Sequence, residues 1–220
     1  ATGSYTTTMT FDLTYGVLAS QVTNGTSISY DIGGNRYTSG SYTTTATSID
    51  GYGTVKASTT DGISGRDIGG ANQKILGAYT TLSTFGDDGQ QLTGSTVGES
   101  KNLAGEDTGS YTTTMTFDPT YGVLKTQVTN GISFSYDITD PDNVIKYTSG
   151  SYTTTATSID GYGTVKASTT IGKSGRGIGT AQEKILGTYT TTSTFGDDGQ
   201  QLTGSTVGSS QNLAGMATGS

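Results

Sequence analysis

The chain of 220 residues contains no cysteine, no histidine and no tryptophan, and only two prolines. Without cysteine it can form neither disulfides nor thiolate metal sites. Without histidine and cysteine, the most common general bases and nucleophiles of enzymes are missing. Carboxylate chemistry would have to rely on three glutamates, Glu99, Glu106 and Glu183, or on aspartates that lie mostly in turns. We therefore predict a protein that is not an enzyme and has no catalytic residue.

Hydrophobic residues make up only 30% of the chain. No apolar run reaches the roughly 18 residues that a membrane helix needs. The net charge is −7, and the lysines and arginines are scattered singly. Binding to nucleic acid requires clustered cations that neutralise phosphates. We therefore predict neither nucleic-acid binding nor membrane insertion. The 14 tyrosines and 5 phenylalanines recur at regular places, which favours a folded chain over a disordered one.

The chain is an internal duplication. Residues 3–108 match residues 109–218, and SYTTTATSIDGYGTVKASTT at 41–60 recurs letter for letter at 151–170. We predict two repeat domains, 1–108 and 109–220. Within each, a finer repeat of roughly 37 residues begins at SYTTTMTFD, SYTTTATSID and AYTTLSTFGD. The letters ATGS stand at 1–4 and again at 217–220. We therefore expect either copies that meet head to tail or a slice of a longer array.

Period-two alternation, the mark of a half-buried strand, places Tyr5, Thr7, Met9 and Phe11 on one face. It predicts an all-β fold of mostly antiparallel hairpins, arranged as a sandwich, a barrel or a prism. Turns are predicted at TNG (23–25), DGYG (50–53) and GDDG (86–89), because Asn, Asp and Gly accept turn conformations. The only candidates for a short helical turn are ANQKIL (71–76) and AQEKIL (181–186).

Tyrosines and aspartates recur in the predicted turns. A tyrosine ring can stack on a sugar ring, and a carboxylate can bond sugar hydroxyls. Repeated sites of this kind would raise avidity without tight single contacts. The predicted carbohydrate-binding residues are Tyr15, Tyr52, Asp50, Tyr121, Tyr162 and Asp160.

Pairs of adjacent carboxylates in glycine-flanked turns are candidate calcium ligands, because calcium binds through oxygen. The four residues are Asp87, Asp88, Asp197 and Asp198. The spacing of an EF-hand is absent, and the alternative is an exposed turn that the aspartates stabilise by hydrogen bonds to the backbone. We predict no obligatory cofactor, with calcium as the candidate metal.

Rows of alternate threonines are the most specific surface feature. They comprise Thr6, Thr8 and Thr10, then Thr43, Thr45 and Thr47, with duplicates at 112–116 and 153–157. Such rows resemble the threonine ladders on the β-solenoids of insect ice-binding proteins, and the resemblance implies ice binding. The alternative is a solvated strand face that combines β propensity with solubility.

Duplicated modules, matching ends and an acidic, hydroxyl-rich surface together favour a structural role. Our first hypothesis is an extracellular or cell-surface repeat protein that associates with itself, head to tail or by its edges, in a matrix, sheath, filament or surface layer. The second hypothesis is a multivalent, lectin-like module that binds polysaccharide, and the third is ice binding.

Overall fold

The computed structural model describes residues 2–140 and 142–219. Its thirteen strands are antiparallel and follow the order of the chain in the sheet, which confirms the predicted all-β fold of hairpins. The order is linear, and neither a two-layered sandwich nor a barrel nor a prism is confirmed. Within the described ranges, no helix is long and apolar enough to cross a membrane. Ala1 and Ser220, which complete the two ATGS ends, lie outside the described residues.

The chain divides into two compact units: Ala1–Asp107 with Phe117–Gly122, called unit one, and Thr108–Thr116 with Val123–Ser220, called unit two. The strands of unit one are β1 (Gly3–Phe11), β2 (Leu18–Tyr30), β3 (Arg36–Ile49), β4 (Val55–Arg66), β5 (Lys74–Phe85) and β6 (Gln91–Lys101). Those of unit two are β7 (Asp107–Phe117, its end residues in unit one), β8 (Leu124–Asp137), β9 (Ile145–Ile159), β10 (Val165–Arg176), β11 (Lys184–Phe195), β12 (Gln201–Gln211) and β13 (Ala217–Gly219).

Two of the predicted turns are confirmed. In DGYG, the N–H of Asp50 donates to the carbonyl of Thr54 at 2.9 Å, and the N–H of Gly53 donates to the carbonyl of Asp50 at 3.0 Å. Gly53 has a φ of +83°, a left-handed conformation that glycine adopts without a Cβ clash. GDDG closes in the same way, through a bond of 2.8 Å from Gly86 N–H to the carbonyl of Gln90.

The turn predicted at 23–25 is wrong, because these residues lie inside β2. Asn24 pairs with Thr6 on one side and with Thr43 on the other. An Asn-Gly pair makes a hairpin turn where the alternation of the strand stops, whereas here the residues on both sides continue it. Gly25 serves another purpose, because the ring of Tyr42 lies directly on it.

The helical turns predicted at 71–76 and 181–186 are also wrong. The strands β5 and β11 begin at Lys74 and Lys184, so the second half of each segment is extended and the first half is a non-helical turn. The loop before β5 is held by a bond of 2.9 Å from the N–H of Ile68 to the carbonyl of Thr38. Pairing with β4 and β10 thus outweighs the modest helix propensity of the Lys-Ile-Leu run.

A row of alternating tyrosines and glycines runs across the strands. In unit one the paired residues are, in order, Tyr5, Gly25, Tyr42, Gly62, Tyr79 and Gly98. In unit two they are Gly131, Tyr152, Gly172, Tyr189 and Gly208. Odd-numbered strands supply the tyrosines and even-numbered strands the glycines. We call the face of the sheet that carries these side chains the tyrosine face.

Each covered glycine lies beneath the ring of the following strand's tyrosine. A Cβ atom built on Gly25 would stand 2.3 Å from ring atoms of Tyr42, a distance that no real Cβ contact shows. The other glycines covered in this way are Gly62, Gly131 and Gly172. All four are buried. Glycine is therefore required here by the close approach of a ring and not by an unusual φ.

A continuous threonine row lies beside the tyrosine row on the same face. In unit one the hydroxyls bond in pairs, Thr7 with Thr23 (2.9 Å), Thr44 with Thr60 (2.8 Å) and Thr81 with Thr96 (2.8 Å). In unit two the pairs are Thr113 with Thr129, Thr154 with Thr170 and Thr191 with Thr206, each at 2.8 Å. Cross-strand pairs of this type contribute about 0.2–1 kcal/mol each.

Burial of large hydrophobic side chains is almost absent. Among the described residues, the buried ones are Ile68 (8% exposed) and Ile178 (5% exposed), both in loops between strands. The remaining buried positions in that part of the chain are glycines within strands. The sheet is therefore held by its backbone ladder and by side-chain pairs across strands, with little contribution from a conventional core.

We predict that Gly25→Ala lowers the free energy of unfolding by about 1–3 kcal/mol, because the new methyl group overpacks the ring of Tyr42. Chemical denaturation followed by circular dichroism measures the change. Gly51→Ala is the matched control, since a Cβ there meets nothing within 4 Å. Equal stability of the two variants would contradict the proposed role of the ring.

Candidate functional site

The predicted threonine rows lie on the face opposite the tyrosines, which we call the TxT face, and they belong to odd-numbered strands. Across the sheet, Asn24 stands between Thr6 and Thr43. The hydroxyl of Thr43 donates to Asn24 Oδ1 at 2.7 Å, and that of Thr80 donates to Asp61 Oδ1 at 2.6 Å. Successive rows are thus two strand spacings apart, about 9–10 Å. The continuous threonine row lies on the tyrosine face instead.

Asp50 and its counterpart Asp160 organise two of the turns that carry predicted sugar-binding tyrosines. Oδ1 of Asp50 accepts the N–H groups of Tyr52 and Thr54, both at 2.9 Å, and the turn around Asp160 repeats both bonds at the same distances. The bond from Thr54, or from its counterpart in unit two, is the main cause that holds the pKa of each carboxyl below its ordinary value. Each carboxylate therefore accepts its main hydrogen bonds from backbone N–H groups of its own turn.

The four predicted tyrosines are among the most exposed side chains. Tyr15, Tyr52, Tyr121 and Tyr162 are 82%, 91%, 80% and 91% exposed. Each lies in a turn that follows an odd-numbered strand, and its ring is left largely uncovered by the described residues. The rings are therefore accessible to a ligand from solvent.

The structure brings the turns of Tyr15 and Tyr52 side by side. A Cβ built on Gly53 would stand 2.8 Å from the backbone nitrogen of Leu18 and 3.4 Å from Cβ of Val17, in the segment directly after Tyr15. In unit two, the Tyr162 turn packs in the same way on the start of β8. Of the two turn tyrosines in the second sequence copy, Tyr121 belongs to unit one and Tyr162 to unit two.

Lys56 links the Asp50 turn to the first predicted calcium pair. Its Nζ lies 3.7 Å from Asp50 Oδ2 and makes a shorter contact with Asp87 Oδ1. The hydrogen bond with Asp87 is the main cause that raises the pKa of Lys56. Lys166 repeats the arrangement with Asp160 and Asp197 in unit two. One aspartate of each pair thus already has a cationic partner.

The second aspartate of each pair, Asp88 or Asp198, is exposed. The backbone N–H of Asp88 donates to Gln90 Oε1 at 3.1 Å. Across residues 2–140 and 142–219, no three His, Cys, Asp or Glu side chains come together as a metal site would require. Calcium binding through these turns stays a prediction.

A groove of about 880 Å³ crosses the TxT face of unit two. Its floor is the backbone at the tyrosine-glycine row, and its walls include Ile132, Ile171 and Val207. Unit one has Thr26 and Asp61 where unit two has the two isoleucines. The duplicated copies therefore differ in polarity on this face.

Small pockets on the tyrosine face were not foreseen from sequence. One lies in each unit, and each has a volume of about 290 Å³. Gln21, Ala46, Ser58 and Phe85 line the pocket of unit one. None of these residues is an acid, a base or a common metal ligand, so no chemical motif in the sequence marks the pocket. The available signal is their exact repetition in the second copy as Gln127, Ala156, Ser168 and Phe195.

Comparison with known proteins found no relative of this chain. No protein-family model, no curated protein and no solved structure matches the chain. The function must therefore be argued from the surfaces just described.

We predict that stability falls as the pH drops below about 3.8, the ordinary pKa of aspartate, because Asp50 and Asp160 have lowered pKa values in the folded chain. Such groups stabilise the fold above the unfolded pKa, and protonation removes that contribution. The melting temperature, measured between about pH 6 and about pH 2, should show a weaker acid dependence in Asp50→Asn, Asp160→Asn. Asp88→Asn is the control, and an unchanged acid slope in the double variant would contradict the assignment.

Proposed function

We propose that the protein is a non-enzymatic structural repeat protein that associates with itself through its sheet edges, in an extracellular matrix, sheath, filament or surface layer. Repetition of the same rows from hairpin to hairpin supports this role, because a further strand of the same kind continues every row. The acidic, hydroxyl-rich surface suits an extracellular setting.

One observation carries the proposal: an unpaired ring and an uncovered glycine lie at two strand edges. Tyr5 belongs to β1, which has no outer neighbour among the described strands, and it is 73% exposed. By contrast, Tyr42 and Tyr79, which lie on glycines, are half-buried. Gly208 is only half-buried, whereas Gly172 in the preceding even-numbered strand is buried. Tyr5 of one chain therefore complements Gly208 of a second copy, with the residues before Ser4 turned away because Gly219 of β13 already pairs with Ser210.

The backbone of β1 is suited to the same association. The carbonyl of Thr2 accepts the N–H of Ile28 at 2.9 Å. The backbone groups of Thr2, and of every second residue after it, therefore point toward β2. In an antiparallel pair the intervening residues direct both N–H and C=O away from the partner. Tyr5, Thr7 and Met9 thus present these groups at the outer edge of β1.

The outer edge of β12 is open in the same sense. In the described part of the chain, β13 pairs with β12 at Ser210 and Gln211, which leaves 201–209 without an outer partner strand. Neither β1 nor β12 contains a proline or a charged residue. Proline and charge are the usual devices that prevent edge-to-edge association, so their absence supports pairing of the two edges.

We predict that Thr7→Pro weakens assembly by about tenfold, because proline removes an outward N–H and its hydrogen bond to a second chain. Sedimentation velocity over a range of concentrations, with and without added calcium, measures the effect. Electron microscopy and fibre diffraction of the wild type should show regular assemblies with a strand spacing of about 4.7–4.9 Å.

Thr7→Val is the matched control, because it removes the hydroxyl bonded to Thr23 and keeps the backbone N–H. It should assemble like the wild type. A wild type that stays monomeric at every concentration would remove the basis of the proposal. Assembly of Thr7→Pro at wild-type concentrations would show that chains meet elsewhere.

A second candidate function is multivalent binding of carbohydrate, and the exposure of the four turn tyrosines favours it. Flat, solvent-facing rings at repeated positions can stack on the sugar rings of one polysaccharide. Their contributions combine as avidity although each single contact is weak. A matrix protein with this property would bind both its own copies and a polymer.

We predict that Tyr52→Ala, Tyr162→Ala reduces the avidity for a glycan-array ligand of the wild type by about tenfold, since two of the repeated stacking sites are lost. Tyr30→Ala is the control, because it removes an exposed tyrosine at the end of β2 that belongs to no candidate turn. Equal losses in both variants, or no wild-type binding on the array, would contradict this candidate.

A further inference from the structure

The pocket on the tyrosine face recurs in both units with the same chemistry. In unit one, Ala46 of β3 pairs with Ser58 of β4, and these two small residues form the floor. Gln21, Val55 and Phe85 also line the pocket and are larger. The depression follows from this contrast in side-chain size. The corresponding residues of unit two are Gln127, Ala156, Val165, Ser168 and Phe195.

The polar groups of these pockets are free to bind a ligand. Within the described residues, the side chains of Gln21 and Ser58 make no hydrogen bond to the rest of the chain, and those of Gln127 and Ser168 are equally free. An amide both donates and accepts, and so does a hydroxyl. Thr44, by contrast, already shares its hydroxyl with Thr60. The residues that carry the free groups are half-buried and line the two depressions.

The remaining lining restricts the class of ligand. Phe85 and Val55 provide an apolar wall, and none of the residues that line either pocket is charged. A charged ligand would therefore lose hydration without gaining a counter-charge. The volume of about 290 Å³ lies at the lower end of ligand pockets, which suits a single ring. A neutral ring with hydroxyls on its rim and an apolar face meets all three conditions.

We propose that each pocket binds one pyranose ring of a neutral carbohydrate, with the ring against Phe85 or Phe195 and its hydroxyls bonded to the glutamine amide and the serine hydroxyl. This inference rests on the second candidate function, carbohydrate binding. It places a site on the tyrosine face, separate from the exposed tyrosines of the turns. It is independent of self-association through β1 and β12.

Saturation-transfer difference NMR tests the proposal, because it detects weak binding to monomers and to assemblies alike. The probes are the methyl glycosides of glucose, galactose, mannose and N-acetylglucosamine, with glucuronate as the charged comparison. We expect at least one neutral glycoside to bind with a Kd of about 1 mM and glucuronate to bind more weakly. No signal from any neutral glycoside, or equal binding of glucuronate, would overturn the proposal.

Ala46→Met, Ala156→Met fills both pockets and should weaken the glycoside signal by about tenfold. Thr45→Met, Thr155→Met is the control, because it places the same side chain one residue away on the TxT face and should leave binding unchanged. Gln21→Ala, Gln127→Ala removes the free amides without filling the pockets, and should also weaken binding. Its circular dichroism spectrum must match that of the wild type.

The variants separate the two carbohydrate sites. Loss of glycoside binding in the methionine and glutamine variants, with binding retained in Tyr52→Ala, Tyr162→Ala, supports the pockets. The reverse result overturns the pocket and leaves carbohydrate binding at the turns intact. Assembly is measured separately by sedimentation and should be unaffected by filling the pockets.

Discussion

The contact between a tyrosine ring and the glycine of the preceding strand is the interaction on which the rest of the structure depends. It fixes the register, because a slip by one residue would turn each tyrosine to the other face and place a Cβ where the ring now lies. It also gives the sheet a direction, since the rings that cover Gly25, Gly62, Gly131 and Gly172 all lean toward the strand before their own. The two sheet edges therefore differ, one with the ring of Tyr5 and the other with the bare Gly208.

A sheet held in this way needs little apolar core. Ile68 and Ile178 alone fill the usual role of buried aliphatic side chains in the described residues, and threonine pairs reinforce each hairpin. Individual pairs contribute little, so stability depends on the number of strands that are joined. This dependence explains why duplication suits the chain, because each added hairpin supplies partners for the one before it. Self-association would extend the same principle between molecules.

Alternation along the strands was sufficient to predict the all-β fold, and the Asp and Gly residues were sufficient to predict the turns at 50–53 and 86–89, because both signals are local properties of the chain. The mistaken turn at 23–25 has a physical reason: Gly25 is needed by the ring of Tyr42, which is seventeen positions away, and local turn chemistry cannot reveal that. The turn tyrosines could be proposed from sequence since they stand beside turn signals. The pockets could not, because they arise from size differences between residues that only the strand register brings together.

The two copies diverge unevenly, and the register explains where. Ile63 on the TxT face and Gln73 in the loop before β5 become Lys173 and Glu183 in the second copy. These two form an ion pair with Nζ–Oε1 at 2.7 Å, so the change is compensated. On the tyrosine face, the central rows are identical in both copies. Ring stacking accounts for the tyrosines and glycines, and hydroxyl bonding accounts for the threonines.

Neither stacking nor hydroxyl bonding accounts for Gln21, Ala46 and Ser58, whose side chains neither lie on a ring nor bond within the described chain. All three residues line the small pocket of unit one, and their counterparts line that of unit two. The carbohydrate site that we propose would require the same residues in both copies. On this proposal, the tyrosine face combines a packing constraint in one row with a ligand constraint in another.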